Sequence, residues 1–141
     1  MPLRQLVPES LDPIARSAYL RVGQWTARLR STPDFIVIGG QRCGTTSVFK
    51  HLAEHPQVLR PAVEKGIDYF SLHYERDLTW YRGHFPLTGL ARLRRARAGG
   101  PVVFEACTYY MFHPLALSRI AHDLPAVKVI AMLRDPVERA Y

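Results

Sequence analysis

The residues best suited to chemistry lie in one short stretch, 34–47, where an apolar run ends in two glycines and a helix-like segment follows. The apolar run is 35–38, the glycines are Gly39 and Gly40, and the helical pattern begins near Thr45. A strand, a tight turn and a helix N-terminus in this order direct backbone N–H groups and the positive end of the helix dipole toward one point. The stretch therefore predicts a binding site for a phosphate or sulfate group.

The same loop is close to the nucleotide-binding pattern G-x-x-x-x-G-K-[ST], with Gly39 and Gly44 as its two glycines. Thr45 stands where that pattern has the lysine that contacts nucleotide phosphates. The sequence also has no apolar strand that ends in an acidic residue of the Walker-B type. A P-loop nucleotide kinase or hydrolase is therefore kept as an alternative function.

Strands and helices are predicted to alternate around this loop. Apolar runs predict buried strands at 35–38, 102–105 and 127–133, and the last is continuous enough for a parallel strand covered on both faces. Three- and four-residue spacing of apolar positions predicts helices at 45–55, 78–85 and 114–124. This alternation indicates an α/β fold with a parallel sheet. Because only three strands are convincing, we expect the N-terminal part of a longer domain.

Residues 1–33 carry a helical pattern of their own. Apolar residues recur at three- and four-residue steps from Leu11 to Leu29, and arginines fill the other faces. The pattern predicts an amphipathic helix from about Ser10 to Arg30, which ends before Pro33. We expect this N-terminal extension to pack on the domain, and contact with a partner or a membrane surface is the alternative.

The net charge indicates which class of partner the protein binds. A formal net charge of +7 and a pI near 9.8 favour an anionic ligand. Nucleic acid is not expected, because the sequence has no zinc-ligand spacing, no aromatic pattern for single strands and no lysine-rich tail. An arginine cluster at positions 92, 94, 95 and 97 is interpreted as a solvated turn, with a patch for an acidic acceptor as the alternative.

The cysteine content and the lack of a long apolar run bear on the compartment. Cys43 and Cys107 do not form a disulfide framework and are typical of small buried residues in a reducing compartment. No apolar run is long enough to span a membrane, and the first ten residues have no signal-peptide core. We expect a cytoplasmic protein without a transmembrane segment.

Four segments in order carry a resemblance to a known family. They are IGGQRCGTTS at 38–47, EKGIDYF at 64–70, WYRGHFP at 80–86 and VIAMLRDPVERAY at 129–141. Together they resemble the sulfotransferases that use 3'-phosphoadenosine 5'-phosphosulfate (PAPS), and in particular bacterial relatives of the heparan-sulfate sulfotransferases. The resemblance covers residues 34–141. It implies a P-loop-like three-layer sandwich with a parallel sheet, truncated at its C-terminal side.

The resemblance implies PAPS as co-substrate and no metal. Backbone N–H groups of the loop would surround the 5'-phosphosulfate, and Arg42 stands where the family has a lysine that adds charge near the leaving oxygen. Arg134 matches the arginine that binds the 3'-phosphate, and as a buried residue at the end of a parallel strand it would face the ligand edge. The implied cofactor-binding residues are Gln41, Arg42, Cys43, Gly44, Thr45, Thr46, Ser47 and Arg134.

The catalytic base is where the sequence departs from the resembled family. That branch has a glutamate after the lysine of Lys-Glu-x-x-Phe-Phe, whereas Lys65 is followed here by Gly66. In an extended segment residues two apart share a face, so Glu64 and Asp68 would flank the missing carboxylate. Asp68 is the first candidate for the base and Glu64 the second. Three alternatives remain: Glu105, His73 or a residue beyond position 141.

The resemblance implies transfer of a sulfuryl group from PAPS to an acceptor hydroxyl, which we expect on a carbohydrate or glycolipid. The predicted catalytic residues are Arg42, Asp68 and Glu64, which would neutralise charge on the leaving group and take the acceptor proton. The 141 residues alone are expected to be inactive. A non-catalytic nucleotide-binding relative that has lost its base, as Gly66 suggests, is the second alternative.

Overall fold

The computed structural model describes residues 13–62, 65–89 and 101–137 of the 141-residue chain. Its sheet has four parallel strands in the order β2-β3-β1-β4. The strands are β1 (Phe35–Gly39), β2 (Val58–Leu59), β3 (Val102–Ala106) and β4 (Lys128–Met132). The predicted α/β class with a parallel sheet is confirmed, and the short β2 is added to the three strands that the sequence indicated.

Five helices and two short 3-10 turns surround the sheet in the described residues. The helix predicted at 45–55 is confirmed, whereas those predicted at 78–85 and 114–124 are shorter than expected. The helices are α1 (Pro13–Trp25), α2 (Thr45–Glu54), α3 (Tyr69–Leu72), α4 (Leu78–Arg82) and α5 (Ala116–Asp123), and the 3-10 turns are Ala27–Leu29 and Tyr109–Met111. No helix in this part of the chain is long and apolar enough to cross a membrane.

The strands are covered on both faces because neighbouring residues of a strand point to opposite sides. Ile36 and Ile38 of β1 belong to the larger core cluster, which includes side chains of α3, α4 and α5. Val37, between them, packs with Phe104 and with Phe49 of α2. The sheet thus lies between α2 on one side and α3, α4 and α5 on the opposite side.

The prediction that the last strand is covered on both faces is wrong for the part of the chain that the structure describes. β4 pairs with β1 from Lys128 to Met132, but its residues 128–131 are all exposed. It lies at the edge of the sheet beyond β1, so one side of the strand has no neighbouring strand among the described residues. An apolar run indicates a strand, but it does not specify what packs on that strand.

The N-terminal helix packs on the domain as expected, but through an unexpected face. A Cβ atom at Gly23 would lie 2.4 Å from the carbonyl oxygen of Gly83, so the backbones of α1 and the end of α4 are in direct contact. Arg30 donates hydrogen bonds to the Phe85 carbonyl at 2.6 Å and to the Tyr19 hydroxyl at 3.2 Å. Tyr19 is the member of the predicted apolar set that takes part in these contacts, whereas Ile14, Val22 and Trp25 are exposed.

Candidate functional site

The loop between β1 and α2 has an unusual backbone. Arg42 has a φ of 60° and Gly44 a φ of 83°, so both residues lie in the left-handed region. For a non-glycine residue such as Arg42 this conformation costs energy and is held by the surrounding structure. Gly44 is also the residue before the first turn of α2, and it has no side chain with which to cap the helix. The first N–H groups of α2 have no acceptor within the helix and are suited to an anion.

Two other amides of the loop are used within the protein. The Gly40 N–H donates to the Met132 carbonyl at 3.3 Å, and the Cys43 N–H donates to the Gly40 carbonyl at 3.2 Å. The Cys43 side chain is buried, with its Sγ 3.6 Å from the Gln41 carbonyl oxygen. Cys43 therefore shapes the turn, while the anion-binding groups that the geometry favours are those of Thr45 and the two residues after it.

Gly39 allows three elements to meet at the base of this loop. A Cβ atom at Gly39 would lie 2.6 Å from the Met132 carbonyl oxygen and 3.0 Å from the Thr45 Cγ2. The end of β4 and the start of α2 thus contact the end of β1 directly. Arg134 follows β4 by two residues and lies at this edge of the sheet, but it is exposed rather than buried as expected.

Lys65, which the sequence analysis did not place in the site, contacts the loop. Its Nζ donates to the Thr46 hydroxyl over 2.6 Å. Partial burial lowers the pKa of Lys65 from its usual value of 10.5. The only signal in the sequence was its place before Gly66 in the motif that resembles the sulfotransferases. The contact brings a cationic amine and the segment that carries Asp68 to the anion-binding loop.

Asp68 also lies at the carboxyl ends of the strands, where its carboxylate accepts a hydrogen bond from a cysteine thiol. The Cys107 thiol donates to Asp68 Oδ1 over 2.9 Å, and the Ser71 hydroxyl lies 3.5 Å from the same oxygen. Cys107 comes directly after β3, and its N–H donates to the Val37 carbonyl of β1 at 2.9 Å. Burial, and then the hydrogen bond to Asp68, raise the pKa of the Cys107 thiol well above its usual value. The thiol is therefore a neutral donor to the Asp68 carboxylate at physiological pH.

Gly66 has no side chain to fill the space into which the Asp68 side chain extends. It has a φ of 74°, and a Cβ atom built on it would meet Asp68 Oδ2 at 3.6 Å. A side chain at position 66 would thus extend toward the carboxylate that Asp68 already places there. The second predicted base, Glu64, lies outside the described residues.

The two alternative bases, Glu105 and His73, lie in different environments from that of Asp68. Glu105 is completely buried, and it accepts hydrogen bonds from the hydroxyls of Tyr81 at 2.5 Å and Tyr110 at 2.8 Å. Desolvation raises the pKa of Glu105 from 4.5 to about 7. His73 lies 3.8 Å from the Glu75 carboxylate and packs its ring against Trp80. Glu105 is thus enclosed in the core, whereas His73 packs on α4.

A cleft of about 340 Å³ opens beside the loop. Gln41 and Arg42 line it on one side, and Tyr109 and Phe112, both exposed, line it on the other. The sequence analysis did not identify this aromatic pair. A larger cavity of about 610 Å³ lies near residues 32–35 and 123–128, where the strands begin. We place the site at the smaller cleft, because parallel α/β sheets bind ligands at the carboxyl ends of their strands.

A parallel sheet whose first strand leads through a glycine turn into a helix N-terminus is the architecture of P-loop-like proteins. No protein-family model matches the chain. Several curated relatives do match. Among them are the membrane-associated sulfotransferase kil1 of Dictyostelium discoideum, 35% identical over 80% of this chain, and human bifunctional heparan sulfate N-deacetylase/N-sulfotransferase 3, 32% identical over 77%. The chain spans only 22% and 12% of those two proteins.

A solved structure agrees with these relatives. A sulfotransferase from Alicyclobacillus acidocaldarius superimposes with a TM-score of 0.55 at 30% identity, and the match covers 78% of this chain and 47% of that one. About four fifths of the chain is therefore homologous to sulfotransferases, and the resemblance seen in the sequence is confirmed.

Proposed function

We propose that the protein transfers a sulfuryl group from PAPS to a hydroxyl of a carbohydrate or glycolipid. The observation that carries this proposal is that three features lie together at the carboxyl ends of the strands. They are the first turn of α2, whose N–H groups have no acceptor within the helix, the Lys65 amine on Thr46, and the Asp68 carboxylate that accepts from Cys107. The relatives support the same class of reaction, since several are named as sulfotransferases and one group is named for heparan sulfate, a carbohydrate.

The residues at the loop fit the anionic end of PAPS. The N–H groups of residues 45–47 and the hydroxyl of Thr46 are hydrogen-bond donors, and Lys65 and the exposed Arg42 add positive charge. When bound, PAPS would supply an activated sulfuryl group, joined to the 5'-phosphate by an anhydride bond. Arg42 and Lys65 would stabilise negative charge on the departing phosphate oxygen. We assign the 3'-phosphate to Arg134 on the basis of the sequence resemblance and its place after β4.

Asp68 is the proposed general base. Its carboxylate is the acidic group held beside the loop, and the neutral Cys107 thiol fixes the position of Oδ1. The second oxygen, Oδ2, extends toward the space beside Gly66. In this arrangement Asp68 takes the proton of the acceptor hydroxyl as that oxygen attacks sulfur, while Cys107 positions the carboxylate.

Replacing the carboxylate tests the base. Asp68→Asn keeps an oxygen that accepts the Cys107 hydrogen bond but cannot take the acceptor proton. We expect the kcat for sulfuryl transfer by the full-length protein, rather than by the 141 residues alone, to fall by about 10²- to 10⁴-fold. Asp77→Asn, at an exposed carboxylate that caps α4, serves as the control and is expected to leave the rate unchanged. Full activity of Asp68→Asn would exclude this base, and an inactive parent protein would favour the non-catalytic alternative.

Nucleotide selectivity separates the proposal from a P-loop kinase or hydrolase. Because Thr45 replaces the lysine of the kinase pattern, we expect adenosine 3',5'-bisphosphate to bind without magnesium and more tightly than ATP with magnesium. Isothermal titration calorimetry of the two ligands measures the difference. Tight binding of magnesium-ATP together with indifference to adenosine 3',5'-bisphosphate would instead support the kinase.

We also propose that the protein works in a reducing compartment, the cytoplasm. Cys43 and Cys107 are both free thiols and both buried, and the Cys107 thiol is needed in its reduced form to donate to Asp68. Cell fractionation with immunodetection tests this compartment, and recovery of the protein from the secreted fraction would contradict it.

A further inference from the structure

The face of α1 that is turned away from the domain is apolar. Ile14, Val22 and Trp25 are 79%, 54% and 89% exposed. Together with Ala18, which is also exposed, they follow one another at steps of four, four and three residues and so share one face of the helix. Leu29, in the 3-10 turn that follows, is 64% exposed. A surface helix normally buries such a face against its own domain.

The opposite face already holds the helix in place. Gly23 lies against the backbone of Gly83, and Arg30 donates to the Phe85 carbonyl. Rotating α1 to bury Trp25 would break these contacts and would move larger side chains into the space that Gly23 leaves. The outward orientation of the apolar face therefore follows from the packing.

The charged residues of α1 and of the 3-10 turn that follows it are all positive. Between positions 13 and 30 the sequence has four arginines and no aspartate or glutamate. Of these, Arg21 and Arg28 are exposed. Arg21 precedes Trp25 by four residues in α1, at one margin of the apolar face, and Arg28 lies in the 3-10 turn that follows the helix. Tryptophan and aliphatic side chains with arginines at the margin are typical of helices that lie in the interface of an anionic membrane.

We propose that α1 lies on an anionic lipid surface, with Ile14, Val22 and Trp25 inserted and Arg21 and Arg28 against the lipid phosphates. This inference goes beyond the proposed function and does not depend on it. A second copy of the chain is a poorer occupant, because pairing two such faces would bring the arginines of both copies together. Lipid phosphates instead supply the opposite charge.

Vesicle binding tests the proposal. The full chain is mixed with vesicles of phosphatidylcholine alone or with about 30% phosphatidylserine, and the bound fraction is measured by sedimentation. We expect binding only to the anionic vesicles. Trp25→Ser and the double change Arg21→Glu/Arg28→Glu should each weaken it by about tenfold or more. Leu117→Ser, at a half-exposed leucine on α5, is the matched control and should bind like the parent.

Fluorescence gives a second readout that does not depend on sedimentation. The chain has two tryptophans, so Trp80→Phe leaves Trp25 as the reporter, and its emission should shift to shorter wavelength on anionic vesicles. Equal binding to both vesicle types, or unchanged binding by Trp25→Ser, would overturn the proposal. So would a dimer that Trp25→Ser abolishes in a protein without vesicle affinity, since α1 would then contact a second copy. Val22→Ser replaces Trp25→Ser if the latter fails to fold.

Discussion

At Gly66 the chain lacks the carboxylate that the resembled family places after its lysine, and Asp68 reaches toward the same space. Because Asp68 Oδ2 lies 3.6 Å from a Cβ built at Gly66, we propose that Asp68 supplies the acidic group that a side chain at position 66 would otherwise carry. The sequence analysis placed Asp68 beside position 66 by assuming an extended segment, and that premise is wrong, because Gly66 and Asp68 both have a positive φ.

Moving the carboxylate back to position 66 tests this equivalence. We expect Gly66→Glu to restore at least about tenfold of the kcat that Asp68→Asn loses, because it returns a proton acceptor to the same space. A non-glycine residue at a φ of 74° costs about 1–2 kcal/mol, so the thermal midpoint should fall. Gly66→Gln in the same background has the same strain without the base, and recovery by Gln as well would refute the explanation.

At the scale of elements, the packing of α1 depends on two glycines. Because a Cβ at Gly23 would lie 2.4 Å from the Gly83 carbonyl oxygen, Gly23→Ala must push the helix away from α4. We expect a loss of about 1–3 kcal/mol in unfolding free energy and faster amide exchange in residues 13–25. Gly89→Ala is the control, since a Cβ there meets nothing within 4 Å. Equal protection of α1 in both variants would contradict this close contact.

The sequence predicted the elements whose signals are local. The apolar run, the glycines and the helical spacing after Thr45 predicted β1, the loop and α2, and the apolar run at 127–133 predicted β4. It did not predict which face of α1 is buried, because the Gly23–Gly83 contact joins residues far apart in the chain. The contacts of Lys65 with Thr46 and of Cys107 with Asp68 were missed for the same reason.

At the scale of the whole molecule, the stability should depend on pH through Glu105. Its pKa is raised from 4.5 to about 7 by burial, so the folded state keeps a proton that the unfolded chain loses. The unfolding free energy should therefore fall as the pH rises from about 4.5 to about 7, by about 3 kcal/mol in total. Urea titrations across this range measure the effect.

Two variants isolate the contribution of Glu105. Glu105→Gln removes the titrating proton while keeping a polar group between Tyr81 and Tyr110, so it should flatten the pH dependence between pH 4.5 and about 7. Glu75→Gln, at an exposed position, should leave the dependence unchanged. If Glu105→Gln follows the same curve as the parent protein, the buried carboxyl is not its source.

The chain spans less than half the length of its relatives. The chain covers 47% of the Alicyclobacillus structure, and β4 carries exposed apolar residues at one edge of the described sheet. The loop, Lys65 and Asp68 nevertheless lie at the carboxyl ends of β1 and β3, which are paired side by side. The central strands β1 and β3 therefore carry the part of the proposed site that would bind the phosphosulfate group.

The positive φ of Gly66 also bears on how such proteins diverge. Gly66 has no side chain to fill the space beside it. We propose that the carboxylate of Asp68, two positions along the chain, supplies the acid there instead. An alignment of sequences alone would score the family's glutamate at position 66 as missing and would predict an inactive protein. The proposed role of Asp68 would make this a functional group that has moved two positions along the chain, which only a three-dimensional comparison reveals.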